Sequence, residues 1–290
     1  MSLIDRLDAC ARYTPDNYRA LLIDGKMLGR VDHAFAETLR SYPGVFTVSD
    51  DAVSLASALA TAEAKTAAVA GVLEELRAQG LFPGWRSEHY PVSESFYTRP
   101  LLTIERATVP RFGIMGYGVH LNGYVNKGGV LHMWIGKRSM LKPTGPGKLD
   151  QIVAGGQPVG LSVWDNLMKE CGEEAGMPAA LAKTAVSVGT VSYLTERNEG
   201  LRHDVLFNYD VALPETFEPV PTDGEVDAFY LWPIGEVMAR IRDTDDFKFN
   251  AALVIIDFAV RHGVLKPDDP DYIEITEAIR AGRFAPMKVR

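Results

Sequence analysis

Cysteine is scarce in this sequence, which contains only Cys10 and Cys171. Two cysteines so far apart form no disulfide framework, and we expect both thiols to stay reduced in a cytoplasmic protein. Long apolar runs are missing as well, since no stretch approaches the ~20 residues that span a membrane. The opening segment carries Asp5 and Asp8 within its apolar run, which is not the pattern of a signal peptide. A membrane partner is therefore not expected.

Positive charge is also in short supply. The chain has 30 lysines and arginines against 38 aspartates and glutamates, which gives a formal net charge of −8. A general affinity for nucleic acid or for an anionic membrane is therefore not expected. The six histidines show no HxH or HExxH spacing, so a zinc site is not expected either. A small-molecule partner suits this composition better.

The chain does contain enough apolar material for a core, because 47% of its 290 residues are hydrophobic. This length fits two domains, and the segment Pro110–Gly113 suits a linker. We predict a smaller N-terminal α+β domain over residues 1–112 and a second domain over residues 113–290. We expect a monomer or a homodimer.

Local patterns predict the elements of the N-terminal domain. Residues 3–12 have the spacing of a short amphipathic helix. Apolar runs on either side of Asp24-Gly25 predict a hairpin from Tyr18 to Val31. Residues 61–79 repeat apolar positions at helical spacing and predict the longest helix of this domain.

The second domain has the pattern of several strands and a few helices. Alternating apolar positions predict a strand from Ile114 to Val125, followed by another from Val130 to Gly136. Two further strands are predicted on either side of a polar loop at residues 195–200. Dense apolar content predicts a buried helix from Asn250 to His262, and a last helix is predicted from Asp271 to Ala281. This order indicates an α/β (α+β) protein with a mixed sheet between helix layers.

The segment KECGEEAGM, residues 169–177, is the most informative stretch of the chain. On a helix, Glu170, Glu173 and Glu174 stand at i, i+3 and i+4, so three carboxylates share one face and repel one another. A hard divalent cation would offset that repulsion. Mg²⁺ is the obvious candidate, because it is commonly held by one or two carboxylates together with substrate phosphate.

Residues on both sides of this segment fit the ends of a helix. Ser162 is a good N-cap with Asp165 at the third helical position, and Gly176 is well placed to end the helix. Upstream, Gly155-Gly156 would let the backbone approach a ligand closely. An exposed acidic face on an amphipathic helix is the simpler alternative. That alternative does not explain the glycine pair before the helix and the glycine after it.

The stretch from Gly155 to Met177 resembles the Nudix box, G-x5-E-x7-R-E-U-x-E-E-x-G-U, in which U is an apolar residue. Leu161 and Lys169 depart from this pattern, which has glutamate and arginine at their positions. Those two family residues pair with each other. Here we expect Asp165 and Lys169, which stand at i and i+4, to pair instead.

The resemblance implies a Nudix α/β/α sandwich that binds Mg²⁺, with Mn²⁺ as a possible substitute. It implies that three glutamates are catalytic and that they hold the metal together with a backbone carbonyl, namely Glu170, Glu173, Glu174 and the carbonyl of Ala154. It also implies that Gly155 and Gly156 lie against the substrate.

A second cluster lies near the end of the N-terminal domain, in the segment WRSEHYPV, residues 85–92. Trp85, Arg86 and Tyr90 have the chemistry to stack on a ring and hydrogen-bond to it, although a strand edge with a core tryptophan is the simpler interpretation. Two other segments are GKRS at 136–139 and FKFNAALVIIDF at 247–258. With them, the cluster resembles a Nudix subfamily similar to the module fused to thiamine pyrophosphokinase. That subfamily includes hydrolases of thiamine diphosphate and its oxidised analogues.

Four other polar residues each allow two interpretations. Arg138 is either a solvated strand end or a phosphate contact, since arginine suits phosphate recognition. The general base is left open among Glu196, Glu199 and Glu225, each of which is otherwise a surface or structural carboxylate.

The sequence thus predicts a Mg²⁺-dependent Nudix hydrolase that cleaves a small organic diphosphate to a monophosphate and phosphate. The resemblance makes thiamine diphosphate or an oxidised analogue the leading substrate. Two alternatives stay open, namely a hydrolase of ADP-ribose or a nucleotide sugar, and a Nudix ligand-binding module with weak catalysis. Leu161 at the family's glutamate position favours the binding module, whereas the complete set of carboxylates favours the enzyme.

Overall fold

The computed structural model describes residues 2–280 of the chain. Its first sheet is built from four short strands: β1 (Tyr18–Ile23), β2 (Lys26–Asp32), β3 (Phe46–Val48) and β4 (Ala52–Leu55). The strand order is β2-β1-β4-β3, and β1 runs parallel to β4. The predicted hairpin is confirmed in β1 and β2, where Asp24 and Gly25 turn the chain with φ of 51° and 75°. Positive φ at both central residues is what a tight hairpin turn requires.

Two helices cover this sheet, namely α2 (His33–Leu39) and α3 (Ala62–Ala78). Each begins at a side-chain cap, because Asp32 accepts the N–H of Phe35 at 2.8 Å and Thr61 accepts the N–H of Ala64 at 3.1 Å. The helix predicted over residues 61–79 is therefore confirmed as α3, with Thr61 and Gln79 as its caps. Its apolar face packs into the N-terminal core through four residues: Val69, Val72, Leu73 and Leu76.

A second small sheet leads from this core to the rest of the chain. Its strands, β5 (His89–Val92) and β6 (Leu102–Glu105), pair antiparallel. A single 3₁₀ turn over Arg106–Thr108 and the short helix α4 (Val109–Phe112) follow. Gly113 then turns the chain with φ of 52°, where a Cβ would lie 2.4 Å from the carbonyl oxygen of Arg30. The segment that precedes the larger sheet is thus seated on β2.

Seven strands form the central sheet: β7 (Met115–Lys127), β8 (Val130–Arg138), β9 (Leu149–Gln151), β10 (Val153–Gly156), β11 (Val186–Arg197), β12 (Gly200–Ala212) and β13 (Val226–Pro233). The main path is β11-β12-β7-β8-β13, with β10 beside β7 and β9 beside β8. Strands β12 and β7 run parallel, and the other pairs run antiparallel. The sheet is therefore mixed, as predicted.

Helices cover both faces of this sheet. One face packs against α5 (Val163–Ala175) and α6 (Ala179–Ala182), and the other against α7 (Ile234–Asp243), α8 (Phe249–Arg261) and α9 (Tyr272–Arg280). The two apolar clusters between these layers confirm the predicted α/β/α sandwich. Among residues 2–280, no helix is long and apolar enough to cross a membrane.

The first helix, α1 (Leu3–Asp8), packs with the C-terminal helices and not with the N-terminal sheet. Leu7 is buried in their core, and Arg6 donates through Nε to the carbonyl of Ile241 at 2.7 Å. The helix is shorter than the predicted span of residues 3–12. The domain boundary at residue 112 stays a prediction, and α1 makes a contact across it.

One predicted loop is wrong. Strands β11 and β12 continue through residues 195–200 and pair as far as Arg197 with Gly200, which leaves only Asn198-Glu199 as the turn. The polar composition of this segment reflects solvent on one face of a hairpin, because strand pairing satisfies the backbone there. The last helix begins one residue later than predicted, and its predicted final residue, Ala281, lies outside the described residues.

Candidate active site

The helix α5 begins and ends where the sequence predicts. The hydroxyl of Ser162 accepts the N–H of Asp165 at 3.0 Å, and Gly176 ends the helix with φ of 57°. Leu167 and Cys171 are buried against the central sheet, so Cys171 is a core residue. Burial raises the pKa of the Cys171 thiol to about 12, which keeps it protonated. This packing holds the acidic face of α5 beside β10.

Two of the three glutamates are buried next to β10. Glu174 accepts the N–H of Ala154 at 2.7 Å, and burial raises the pKa of its carboxyl to about 7. Burial also raises the pKa of Glu170, while the ammonium of Lys169 opposes that shift. Both carboxylates are therefore held away from water, where a further cation would stabilise their charged form.

Gly155 makes room for Glu170. A Cβ at position 155 would lie 2.4 Å from the carboxyl carbon of Glu170, so any side chain there would displace the glutamate. The next residue, Gly156, accepts a hydrogen bond from Nδ2 of Asn166 at 2.8 Å through its carbonyl. The glycine pair thus lets β10 and α5 approach closely and keeps them joined.

Glu173 lies apart from the other two glutamates. Its side chain is 51% exposed and pairs with Lys169 at 2.7 Å, and Lys169 also reaches Glu170 at 3.2 Å. The predicted pair between Asp165 and Lys169 is wrong, because Asp165 accepts the hydroxyl of Ser162 at 2.6 Å. Asp165 therefore completes the helix cap, and Lys169 pairs with Glu170 and Glu173.

The residues present fit a magnesium ion that is bound together with a substrate. Within residues 2–280, no three carboxylate, histidine or cysteine side chains converge closely enough to hold a metal by themselves. Glu170, Glu174 and the backbone of Ala154 are hard oxygen donors. Mg²⁺ commonly takes one or two protein carboxylates and completes its shell with water and substrate phosphate. A preformed cage that includes Glu173 is not what the structure shows.

A cleft lined by cations adjoins these carboxylates. It contains one cavity of about 220 Å³ and a second of about 70 Å³, and Ala154 lies in the wall of both. Both parts of the chain contribute positive side chains to these walls: Arg86, Arg106, Arg138, Lys142, Arg202 and Lys248. The acidic protein therefore has a locally basic cleft.

The cations of the cleft outnumber the carboxylates that pair with them. Two carboxylates each pair with two cations, Glu225 with Arg86 and Lys142, and Asp150 with Arg138 and Lys248. Burial lowers the pKa of Lys142 to about 8 and that of Lys248 to about 8. An anion in the cleft would stabilise the charged form of both lysines.

Arg138 lies in the wall of the cleft and not at a solvated strand end. Its NH1 pairs with Asp150 at 2.9 Å, and its NH2 donates to the carbonyl of Thr144 at 2.8 Å. Its Nε donates to the carbonyls of Thr144 and Gly145 at 3.2 Å each. The buried guanidinium therefore braces the loop over residues 139–148. Its predicted phosphate contact stays a prediction.

The aromatic residues of the WRSEHYPV segment have different surroundings. Trp85 is not among the residues that line the cleft, because its ring packs 6.4 Å from that of Phe82 and lies under the guanidinium of Arg77 at 4.7 Å. Tyr90 is buried, lines the second cavity and points its hydroxyl at Gly156. Of the two predicted aromatic contacts, only Tyr90 is in the cleft.

The three predicted bases also lie in different places. Glu196 accepts the N–H of Thr14 at 2.8 Å and so holds the segment that follows α1. Glu225 is occupied by Arg86 and Lys142. Glu199, in the turn between β11 and β12, lines the first cavity of the cleft. Which of them acts as a base stays a prediction.

Sequence reasoning misses most of the cations in the cleft, namely Arg106, Lys142, Arg202 and Lys248. The spacing between them carries no signal, because they come from four separate segments that only the tertiary fold brings together. Lys248 belongs to the segment at 247–258 on which the family resemblance partly rests, and that was the one available signal. Arg106 follows a strand that no sequence pattern indicated.

Comparison with known proteins points to one family. A family model described as a domain of unknown function (DUF4743) matches residues 2–116. Nudix hydrolase 24, chloroplastic, from Arabidopsis thaliana is 43% identical over 283 residues, which cover 96% of this chain and 78% of that relative. Nudix hydrolase 20, chloroplastic, from the same plant is 45% identical over 268 residues, which cover 89% and 72%. This chain belongs to the Nudix hydrolase family.

The relatives establish the enzyme class of this Nudix hydrolase, a Nudix-type pyrophosphohydrolase. Nudix hydrolases generally use divalent metals such as Mg²⁺. A solved NUDIX domain, that of Shewanella oneidensis NrtR complexed with ADP ribose, is 14% identical and covers 52% of this chain and 90% of that chain, with a TM-score of 0.42. At this level of likeness it gives no information on the substrate of this Nudix hydrolase.

Proposed function

We propose that this Nudix hydrolase uses Mg²⁺ to cleave thiamine diphosphate, or an oxidised analogue of it, to a monophosphate and phosphate. One observation carries the diphosphate chemistry. Glu170 and Glu174 are buried directly behind Ala154 and Gly155, which line a cleft with an excess of cations. Carboxylates for a metal and cations for phosphate oxygens are thus adjacent.

Each group in the cleft has a defined part in such a reaction. Mg²⁺, when bound, neutralises phosphate charge and activates water for attack on phosphorus. Glu170 and Glu174 supply carboxylate oxygens, and the ammonium groups of Lys142 and Lys248 stabilise the negative charge of the phosphates. Hydrolysis breaks the bond between the bridging oxygen and the attacked phosphorus. The oxygen of a water molecule bonds to that phosphorus as hydroxide. The remaining proton of the same water molecule goes to the products.

The organic part of the substrate is supported by sequence resemblance alone, in the three segments at 85–92, 136–139 and 247–258. The predicted stacking of Trp85 and Tyr90 on a ring of the substrate receives no support from their surroundings. Arg77 already lies over the ring of Trp85 at 4.7 Å, and Arg106 lies over that of Tyr90 at 5.8 Å.

A larger organic group is the second candidate. A cavity of about 770 Å³ shares Pro143, Thr144, Glu199 and Lys248 with the first cavity of the cleft. Its wall includes Phe249, whose ring lies 4.4 Å from the guanidinium of Arg197. Ligand sites of this size accept molecules as large as a nucleoside. Hydrolysis of ADP-ribose or of a nucleotide sugar is therefore the alternative substrate assignment.

A titration of Mg²⁺ against product release tests these assignments. Thiamine diphosphate, its oxidised analogues and ADP-ribose are compared at one pH, and the products are identified by chromatography. A higher specificity constant for the thiamine compounds supports the proposal, whereas a higher one for ADP-ribose overturns the thiamine assignment. Tight binding with no turnover at any Mg²⁺ concentration would instead indicate the ligand-binding module, the alternative that Leu161 favours.

A further inference from the structure

The N-terminal part of the chain reaches the Nudix motif through Arg106. This residue begins the 3₁₀ turn after β6, and its side chain lines both cavities of the cleft. A Cβ on Gly156 would lie 3.1 Å from the guanidinium carbon of Arg106. The guanidinium of Arg106 therefore lies beside Gly156 of the motif.

Several contacts fix the position of Arg106. Its N–H donates to the carbonyl of Glu88 at 2.8 Å, and its NH1 pairs with the carboxylate of the same residue at 2.8 Å. The side chain of Glu105 accepts the N–H of Ala107 at 3.4 Å and that of Arg86 at 2.9 Å. Glu88, which directly precedes β5, therefore holds both the backbone and the guanidinium of Arg106.

The surrounding backbone is docked on both sides of Arg106. The N–H of Val159, just after the glycine pair, donates to the carbonyl of His89 at 3.0 Å. On the other side, Gly200 approaches α4 so closely that a Cβ would lie 2.4 Å from the carbonyl oxygen of Pro110. These contacts join the N-terminal part to the loop after β10 and to the start of β12. The two docking contacts therefore fix the position of Arg106 relative to the cleft.

Arg106 meets two cations of the central part in the 70 Å³ cavity, namely Arg202 and Lys248. Arg202 pairs with Asp204 at 2.9 Å, and Lys248 pairs with Asp150 at 3.3 Å. Arg106 is 38% exposed and gives NH1 to Glu88. A guanidinium has five N–H donors, so this pair leaves donors for a second anion.

We propose that Arg106, supplied by the N-terminal part, binds the diphosphate of the substrate together with Arg202 and Lys248. The planar guanidinium contacts two phosphate oxygens at once, which a lysine at this position would not do. This inference rests on the proposed diphosphate chemistry. In this proposal the N-terminal part, which the family model covers at residues 2–116, supplies a phosphate-binding residue that the Nudix motif itself lacks.

Binding of a diphosphate that cannot be hydrolysed tests this site separately from catalysis. We would measure the affinity of the full chain for methylenediphosphonate by calorimetry, with Mg²⁺ present. Arg106→Gln should weaken this binding about tenfold to hundredfold, the range expected for hydrogen bonds to a charged group. It should raise KM for every diphosphate substrate by a similar factor. Arg99→Gln is the matched control, because Arg99 belongs to the same part and its side chain is 86% exposed.

A purely structural role for Arg106 is separated by Glu88→Gln. That variant breaks the ion pair but keeps the guanidinium, so it should weaken binding much less than Arg106→Gln. Equal losses in the two variants would overturn the proposal, as would unchanged affinity in Arg106→Gln. If Arg106→Gln does not fold, Arg106→Lys takes its place, and wild-type affinity there would exclude a guanidinium contact. Binding that depends on Arg106 without any phosphate release would instead refute the proposed function and leave the site intact.

Discussion

The hydroxyl of Tyr90 faces Gly156 so closely that a Cβ on the glycine would lie 1.6 Å from the phenol oxygen. Tyr90 belongs to the small sheet of β5 and β6, whereas Gly156 ends β10 next to the motif helix. The contact sets the separation of the two parts of the chain at the cleft, and it requires glycine on one side.

We expect Gly156→Ala to displace Tyr90 and Arg106. Overpacking of this kind costs about 1–3 kcal/mol of stability. The specificity constant should fall at least about tenfold for every diphosphate, because ~1.4 kcal/mol of lost phosphate binding already corresponds to that factor. Steady-state kinetics and urea unfolding measure the two effects.

Gly172→Ala is the control for this variant. Gly172 lies in α5, and a Cβ there would meet nothing within 4 Å. Alanine in an exposed helical position should raise stability by about 0.5–1 kcal/mol and leave turnover unchanged. If Gly156→Ala also raised stability and left turnover unchanged, the close contact between Gly156 and Tyr90 would not contribute to activity.

Glu174→Gln should keep the fold and lose most activity. The amide can still accept the N–H of Ala154, and a neutral side chain suits this buried position, where burial raises the carboxyl pKa to about 7. Loss of a charged metal ligand should reduce turnover by orders of magnitude, because metal assistance supplies several kcal/mol. Single-substrate kinetics in saturating Mg²⁺ measure this, and near wild-type turnover would remove Glu174 from the site.

Glu173→Gln provides the comparison, since Glu173 is exposed and pairs with Lys169. We expect a smaller loss of turnover than in Glu174→Gln. An equal loss would mean that Glu173 turns toward the metal when the substrate binds.

Features of this site that depend on nearby residues in the sequence were predictable, and those that depend on tertiary neighbours were not. The ends of α5 were predictable because a cap at Ser162 and a stop at Gly176 act within one turn of helix. The ion-pair partners of side chains in the same helix were not predictable. Asp165 was expected to pair with Lys169 and instead completes the helix cap. The direction of a side chain depends on neighbours that a linear motif does not specify.

The central sheet and its helix layers were predictable from apolar periodicity and from the family resemblance. The cleft was not, because Arg106 and Lys248 become neighbours only after two separate segments dock. Trp85 shows a different limit of sequence reasoning. Its aromatic ring suggested a ligand contact, but the nearby Phe82 and Arg77 pack against it first.

Trp85→Ala should therefore act on stability and not on substrate choice. Removal of a half-buried ring from the N-terminal core should cost about 1–3 kcal/mol, less than for a fully buried tryptophan. We expect a lower Tm and similar activity losses for thiamine diphosphate and ADP-ribose. A changed ratio of their specificity constants would restore Trp85 as a substrate contact. Tyr97→Ala, at a ring that is 89% exposed, is the control for losing an aromatic group.

Stability should fall between about pH 6.5 and 4 because of His120. Burial lowers the pKa of this imidazole from 6.5 to about 4, with Asp150 opposing the shift and Lys248 and Arg138 adding to it. The unfolded chain takes up this proton below pH 6.5, whereas the folded chain resists it until about pH 4. Stability is therefore present above that window and is lost through it as pH falls, by on the order of 3 kcal/mol.

His120→Gln should remove this pH dependence. The Oε1 of Gln151 accepts from Nδ1 of His120 at 2.6 Å, and a glutamine at position 120 can donate in the same direction. Urea unfolding of both proteins at several pH values across this window gives the comparison. A wild-type slope in the variant would assign the pH dependence to other groups.

The packing of α1 has a consequence for the order in which the protein is assembled during synthesis. Arg6 and Ile241 are 235 positions apart and joined by a hydrogen bond, and Leu7 is fully enclosed by helices near the other end of the described chain. On the ribosome, α1 is present long before those helices, so its apolar side stays uncovered while the four-stranded sheet at residues 18–55 completes from local pairings. The core that supports the cleft closes last, and a chain truncated before α7 would have a complete N-terminal sheet and an uncovered apolar face on α1, which favours aggregation.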